Sequence, residues 1–468
     1  MKIEEIKNSN SSLELFEQLF SNRPHCFFLD SGMDHGKLGR FSFMGAEPFL
    51  ILKSKGRLVE VIERSPVRQC ASAPVKRFID NPFLVLKELL KKYSNNSYHN
   101  EIPFLGGAVG YFSYDLCHFI ERLPSTALDD IDVPDLYLGF YDEIVAVDNL
   151  NNRIYRLNAD DRGYPCKSAI YERGWPRINP RKSTIQSNFL KEAYIAAIKR
   201  AKEYIRQGDI YQVNLSQRFS TDLTIPPFEL YKRLRSINPA PFASYLDFDE
   251  VKIVSASPER FLKIDAKNRY IETRPIKGTR PRGAADIDDE KLKQELISSP
   301  KDRAEHIMIV DLERNDLGRV CEYGSIKWSE PMILEKYSTV FHLVSTVSGI
   351  LKEGTDAVDC LLRCFPGGSI TGAPKIRSME IIDELEPTKR SIYTGAIGYI
   401  GFNGNTDTNI VIRTFIAKGD KLYFQVGGGI VADSDPEAEY QETLDKAKAL
   451  IEASGHPLPE GERVGVRG

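Results

Sequence analysis

The order of apolar and polar positions divides the chain into a β-rich first part and a mixed second part. Up to residue 159, short runs such as CFFLDSG, RFSFMGAEPFLIL, RLVEVI, FLGGAVGYFSYDL and LYLGFYDEIVAVD dominate, with period-two alternation over 137–147. Helical spacing interrupts them at 11–19 and 83–93. Strands in that number predict a large antiparallel sheet or sandwich with helices outside. Over 160–187 the periodicity disappears and Pro165, Pro176, Pro180 and many charges accumulate, which predicts a connector. Beyond it, Leu190, Tyr194, Ala197, Ile198, Ala201 and Ile205 fall three and four apart until Gly208, the pattern of an amphipathic helix. The next run, IYQVNLSQRF, alternates Tyr211, Val213 and Leu215 with Gln212, Asn214 and Ser216; its polar face lines a cavity or meets water. The last helix opens at Ser434 and Asp435, with Pro436 in its first turn and Glu437 spaced for a capping box. The organisation expected is a first region over 1–159, the connector, a second region over 188–454 and a frayed tail over 455–468.

Composition narrows the class. A chain of 468 residues exceeds one ordinary core, and two intimately packed halves are expected. Net charge is −3 with both signs interspersed, which leaves no footprint for nucleic acid or an anionic membrane. No apolar run approaches the roughly 18 residues of a membrane span, and the polar start MKIEEIKNSN is no signal peptide, so a cytoplasmic protein is expected. Cys26, Cys70, Cys117, Cys166, Cys321, Cys360 and Cys364 form no CxxC pair and read as reduced packing thiols.

Candidate chemistry concentrates at 273–316. Lys277 sits between Ile276 and Gly278 at the end of a β-prone run, so its amine projects from a strand end or lies in solvent. A nucleophilic lysine must be mostly neutral, about 3 units below its ordinary value, which burial or neighbouring cations supply. Asp302 and Glu305 lie three apart on a helical segment, and Glu439 with Glu442 repeats that spacing on the last helix. These pairs are either solvated helix faces or, if the helices face each other, hard oxygen ligands suited to Mg²⁺. The glycine loop PGGSITGAPK and the run Gly427, Gly428, Gly429 are anion-binding backbone or plain turns. His342 lies in a β-like run as a sheet histidine or an acid–base group.

The motifs SPERF, TRPIKGT, KDRAE with IMIVDLERND, FHLVST, PGGSITGAPK, GGGIVADS and EAEYQET occur together and in one order. In this the chain resembles the chorismate-utilising enzymes, to about residue 150 and again from about 190 to 452. The resemblance implies an α+β fold: a large two-sheet β-sandwich with helices outside, two interleaved subdomains and the site in the cleft between them. It implies Glu305 and Glu442 as the principal Mg²⁺ ligands, with Asp302 and Glu439 in support. Asp302 is shorter than the glutamate that anthranilate-forming members look to have there. The ion would hold the ring carboxylate of chorismate. Tyr393, Arg413, Lys375 and the amides of Gly427, Gly428 and Gly429 would hold the enolpyruvyl carboxylate and ring, with Gln212, Thr279, His342 and Ser369 also lining the substrate site.

Lys277 is similar to the lysine of the members that aminate C4, where the anthranilate-, isochorismate- and salicylate-forming members resemble one another in carrying alanine. The implied reaction gives 4-amino-4-deoxychorismate, on the route to p-aminobenzoate and folate, with Lys277 as nucleophile and Glu259 as general acid and base. Gln212 stands where water-using members have a lysine base. No GxCxG-like site is present, so the resemblance implies ammonia from a glutamine amidotransferase partner. The run Leu38, Gly39, Arg40, Phe41, Ser42 replaces the LLES-like motif of tryptophan-regulated members. Alternatives are anthranilate formation with pyruvate loss, and a non-catalytic subunit binding chorismate or an amino acid.

Overall fold

Period-two patterning produces strands that pair antiparallel into two sheets of twelve strands each. The computed structural model describes residues 2–6, 10–33, 38–63, 74–158, 183–282, 286–337 and 340–458. Most of the 160–187 connector, the tail beyond 458, Cys70 and Cys166 lie outside the described residues. The first sheet runs from Lys2–Ile6 at one edge, through Phe27–Asp30, Phe242–Phe248, Val251–Ser257 and Thr414–Lys418, to Lys421–Ile430 and Gln212–Asp222 near the other. The second begins at Ile276–Pro281 and Val340–Ile350 and passes through Tyr270–Arg274, Arg260–Asp265, Thr406–Ile410, Ala396–Gly401 and Gly107–Phe112 to the edge strand Val75–Ile79. Each sheet thus joins one block of strands from before the connector to one block from after it.

The sheets face each other across an aromatic-rich core. Phe27, Phe43, Leu246 and Ile253 of the first pack against Ile51, Val109, Tyr111, Ile397 and Tyr399 of the second. Edge-to-face pairs cross the gap, Phe27 with Tyr141 at 4.6 Å and Phe43 with Tyr399 at 5.6 Å. Helices Lys191–Gln207, Pro227–Ile237, Lys375–Leu385 and Pro436–Ser454 cover the outer face of the first sheet. Pro82–Tyr93, Pro300–Val320 and Ala357–Cys364 cover that of the second. The fold is therefore the α+β two-sheet arrangement expected. Among the described residues no helix is long and apolar enough to cross a membrane, and Cys26, Cys117, Cys321, Cys360 and Cys364 are buried free thiols.

The helices start where their sequences direct. Ser299 caps Pro300–Val320 by accepting from the Asp302 amide, and Pro300 occupies the first turn. The last helix departs from its expected cap. Asp435, one residue later than the capping-box spacing requires, accepts from the Ala438 amide, while Ser434 donates to Glu439 at 2.6 Å.

Two neighbouring crossings between the sheets create the functional region. The chain leaves the first sheet at Ser257 and enters the second at Arg260; it returns between Ile410 and Thr414. The crossings are tied together, with Ser257 Oγ donating to the Ile410 carbonyl at 2.6 Å and the Ile410 amide to the Glu259 carbonyl at 3.0 Å. Glu259 and Arg413 consequently stand where the sheets part.

Candidate active site

Lys277 owes its direction to a backbone irregularity. Ile276 pairs with Val344 and Thr279 with His342, so residues 277 and 278 together oppose Leu343 alone, a β-bulge. Gly278 adopts φ +80° within it, the left-handed conformation that glycine takes without steric cost. The bulge turns Lys277 inward, where its side chain is 14% exposed and its Nζ lies 3.2 Å from Glu305 Oε1. A Cβ on Gly278 would stand 2.9 Å from Leu296 Cδ1 and 3.4 Å from Asp302 Cβ. Gly278→Ala is therefore expected to cost about 1–3 kcal/mol through strain and crowding, measured by denaturant unfolding, and to lower activity with it. A variant as stable as the parent would show that the bulge is not required.

The acidic pairs are distributed unequally. Glu305 accepts from Gln212 Nε2 at 2.8 Å as well as pairing with Lys277. Burial pushes its carboxyl up, but Lys277 and the Gln212 amide outweigh that and hold it below the usual range. Asp302 is held by Arg280 Nη2 at 3.0 Å. On the last helix, Glu442 is 51% exposed and pairs with Lys446 at 2.7 Å, which lowers its pKa. Glu439 is raised, by burial first and by the charge of Glu442 after it. A Cβ on Gly428 would lie 3.2 Å from Glu439 Oε2 and 3.7 Å from Glu442 Oε1, and one on Gly429 would lie 3.1 Å from Glu305 Oε1. Both acidic helices thus approach one glycine strand. Their fields overlap: Lys446 acts on Glu305 and Lys277 on Glu442.

Among the described residues, however, no three carboxylate, histidine or thiol groups gather at one point as a preformed metal centre. The expected convergence of both pairs is replaced by two lysine-neutralised carboxylates, Glu305 with Lys277 and Glu442 with Lys446. The donor chemistry still fits Mg²⁺, which binds through one or two ionised carboxylates and fills its other positions with water and substrate oxygens.

Glu259 is the most perturbed acid facing this lysine. It is 5% exposed, and Ser369 Oγ donates to its Oε1 at 2.7 Å. Burial raises its pKa to about 7 against the opposing effects of Ser369 and Lys277. Such a carboxyl exchanges a proton readily at neutral pH. His342 Nδ1 meets Thr279 Oγ1 at 2.9 Å across the strand pair. Burial, with the charge of Arg413 behind it, lowers its pKa to about 3, so the ring is neutral.

The remaining expected ligands divide. Arg413 is one: the only hydrogen bond of its side chain among the described residues runs from Nη1 to the Lys446 carbonyl. Burial lowers its pKa, opposed by Tyr393 and Glu442, which places all three in one field. Tyr393 is buried with Arg390 5.7 Å above its ring. Gly427, Gly428 and Gly429 pair with Ser216, Leu215 and Asn214 on one edge, while the ladder on the other edge stops at Phe424. Among the described residues no strand lies beside the glycines on that second edge, and Lys446 Nζ reaches the Gly427 carbonyl there at 2.9 Å. Lys375 is a correction. Its ammonium is spent inside the protein, on buried Asp316 and on the carbonyls of Cys364 at 3.0 Å and Pro366 at 2.9 Å. With all three donors committed, it braces the glycine loop, unlike the substrate-facing ammonium expected.

A buried acid, a neutral histidine, an inward lysine and an arginine with spare donors, beside ionised carboxylates, form a site for a small anionic substrate. Residues 47–452 match the chorismate binding enzyme family. The chain belongs to that family. It is 39% identical to aminodeoxychorismate synthase component 1 of Bacillus subtilis over 458 residues, 95% of this chain and 94% of that protein. It is also 42% identical to anthranilate synthase component 1 of Thermus thermophilus over 462 residues, 93% of each. The crystal structure of anthranilate synthase component I from Streptococcus pneumoniae superposes with TM-score 0.73 at 31% identity, covering 89% of this chain and 93% of that one.

Two groups beside this site were not singled out by sequence patterns. Lys446 lies four residues after Glu442, a helical ion-pair spacing that would have flagged it. Glu313 carries no such signal, because what sets it apart is burial, 3% exposed beneath the glycine loop.

Proposed function

We propose that this chorismate-binding enzyme is an aminodeoxychorismate synthase component I, forming 4-amino-4-deoxychorismate from chorismate and ammonia. Relatives of both the aminating and the anthranilate-forming kind are about equally similar, so overall identity does not choose between them. Lys277 carries the assignment: it is inward-facing, mostly buried, and electrostatically coupled to Glu259.

In the proposed reaction Arg413, Tyr393 and the unpaired glycine edge orient the substrate. After shedding its ammonium proton to solvent, the Lys277 amine bonds to C2 as the ring double bond shifts and the C4–O bond breaks, with Glu259 giving its proton to the departing hydroxyl as water. Ammonia then bonds to C4, the C2–N bond to lysine breaks, and ionised Glu259 takes the proton ammonia sheds. Neutral His342, fixed by Thr279, serves as a hydrogen-bonding wall. Glu305 and Glu442, with Asp302 and Glu439 beside them, would hold Mg²⁺, which when bound neutralises a substrate carboxylate. Ammonia would come from a glutamine amidotransferase subunit, and the pair would act in the cytoplasm on the route to p-aminobenzoate and folate.

The test is product analysis. Purified protein given chorismate, Mg²⁺ and ammonium is expected to yield 4-amino-4-deoxychorismate. Anthranilate would assign the pyruvate-eliminating activity instead, and no turnover by folded protein would leave a binding subunit.

A further inference from the structure

The acidic helix carries a buried carboxyl that the proposed reaction does not use. Glu313 is 3% exposed, and its Oε1 accepts from the Gly368 amide at 3.1 Å. Its Oε2 lies 3.5 Å from Thr273 Oγ1, on the strand that leads to Lys277. Gly368 immediately precedes Ser369, whose hydroxyl holds Glu259. A Cβ on Gly368 would come within 2.6 Å of Leu312 Cδ2 and 3.2 Å of Glu313 Oε1, so loop and helix are in close contact here. We infer that Glu313 is a positioning residue for the reaction proposed above, its carboxyl fixing the Gly368 amide so that the Ser369 hydroxyl stays aimed at Glu259.

The charged groups facing Glu313 are Asp316 and Lys375 on one side and Glu259 on the other. Lys375 is already paired with Asp316. Burial raises the Glu313 carboxyl to about 8, Asp316 and Glu259 adding to the effect and Lys375 opposing it. Glu259 lies at about 7. Two interacting buried acids that titrate this closely retain a proton between them across neutrality. Glu313 therefore bears on Glu259 through the loop, while the charge of Glu259 in turn raises Glu313.

The inference rests on the proposed chemistry, so the test monitors chorismate loss whatever the product, with free ammonia held constant across pH. Glu313→Met removes the acceptor at nearly equal volume. It is expected to lower kcat about tenfold, equivalent to about 1.4 kcal/mol in the barrier, with KM for chorismate within twofold of the parent. Glu313→Gln keeps an oxygen for the Gly368 amide. It is expected to recover most of that loss with the alkaline limb in place, because Glu313, titrating above Glu259, is neutral where Glu259 loses its proton. A purely structural role would lower thermal stability in both variants without the split between kcat and KM. The protonated-carboxyl infrared band, followed from about pH 5 to pH 9, reads the pair without turnover: two steps in the parent, and only the lower one in Glu313→Gln. A Met variant with parental kcat, or a Gln variant no more active than the Met variant, would overturn the assignment. Anthranilate as the product would overturn the proposed function and leave these comparisons intact.

Discussion

Replacing Glu259 by glutamine is expected to slow chorismate consumption by about 10²–10⁴-fold, the range that positioned acid–base groups contribute. Glutamine keeps the shape and can still accept from Ser369 Oγ, but it neither delivers a proton to a departing hydroxyl nor takes one from ammonia. In the proposed reaction Arg413, the glycine edge and the acidic pairs would set chorismate affinity, so it should change little. The pH profile follows from the same group. The carboxyl must be protonated when the hydroxyl leaves, so at constant free ammonia the parent's rate should fall as pH rises through about 7. Stability should move the other way on substitution. The folded-state pKa is raised above the ordinary 4.5, so the parent loses stability as pH rises from about 4.5 through about 7. Glu259→Gln does not share that loss. It should unfold at a higher temperature than the parent at alkaline pH and at a similar one near pH 4.5. Thermal melts across pH, beside steady-state rates, check both statements. Parental activity in the variant would remove Glu259 from the chemistry.

Lys277→Ala is the second large effect. Losing the nucleophile should cost at least about 10³-fold in amination, the scale seen when one essential member of a covalent machinery is removed. Chorismate binding should remain measurable by calorimetry, because Arg413 and the glycine edge are untouched. Glu305 should respond electrostatically. Among the influences that lower its pKa, Lys277 is the foremost, so in the variant the carboxyl should move upward, and Lys277→Met, closer in volume, should show the same shift without a cavity. An amination rate unchanged in either variant would eliminate covalent catalysis by this side chain.

The sequence patterns reach the elements more easily than their assembly. Alternation over 137–147 identifies strands because one face of each is buried, yet it does not state which sheet a strand joins. That is decided at the crossings around Glu259 and Arg413, where the chain changes sheets within a few residues. Helical spacing identifies Asp302 with Glu305 and Glu439 with Glu442, but what each carboxylate touches depends on partners elsewhere: Arg280, Lys277, Gln212, Lys446 and Ser434. Lys375 shows the limit most clearly. A lysine after a glycine loop suggests an anion ligand, and only Asp316, buried on a different helix, reveals that the ammonium is consumed. Likewise the raised carboxyls of Glu259 and Glu313 arise from burial beneath a loop folded over them, which no local pattern encodes.

The central claim is that the Lys277 amine becomes bonded to the substrate. The most direct measurement is mass spectrometry of the protein quenched during turnover with chorismate and Mg²⁺ while ammonia is withheld. The account predicts a mass gain equal to chorismate less one water, localised to the peptide bearing Lys277 and discharged when ammonium is added. Unmodified Lys277 in enzyme that goes on to aminate chorismate at full rate would contradict it.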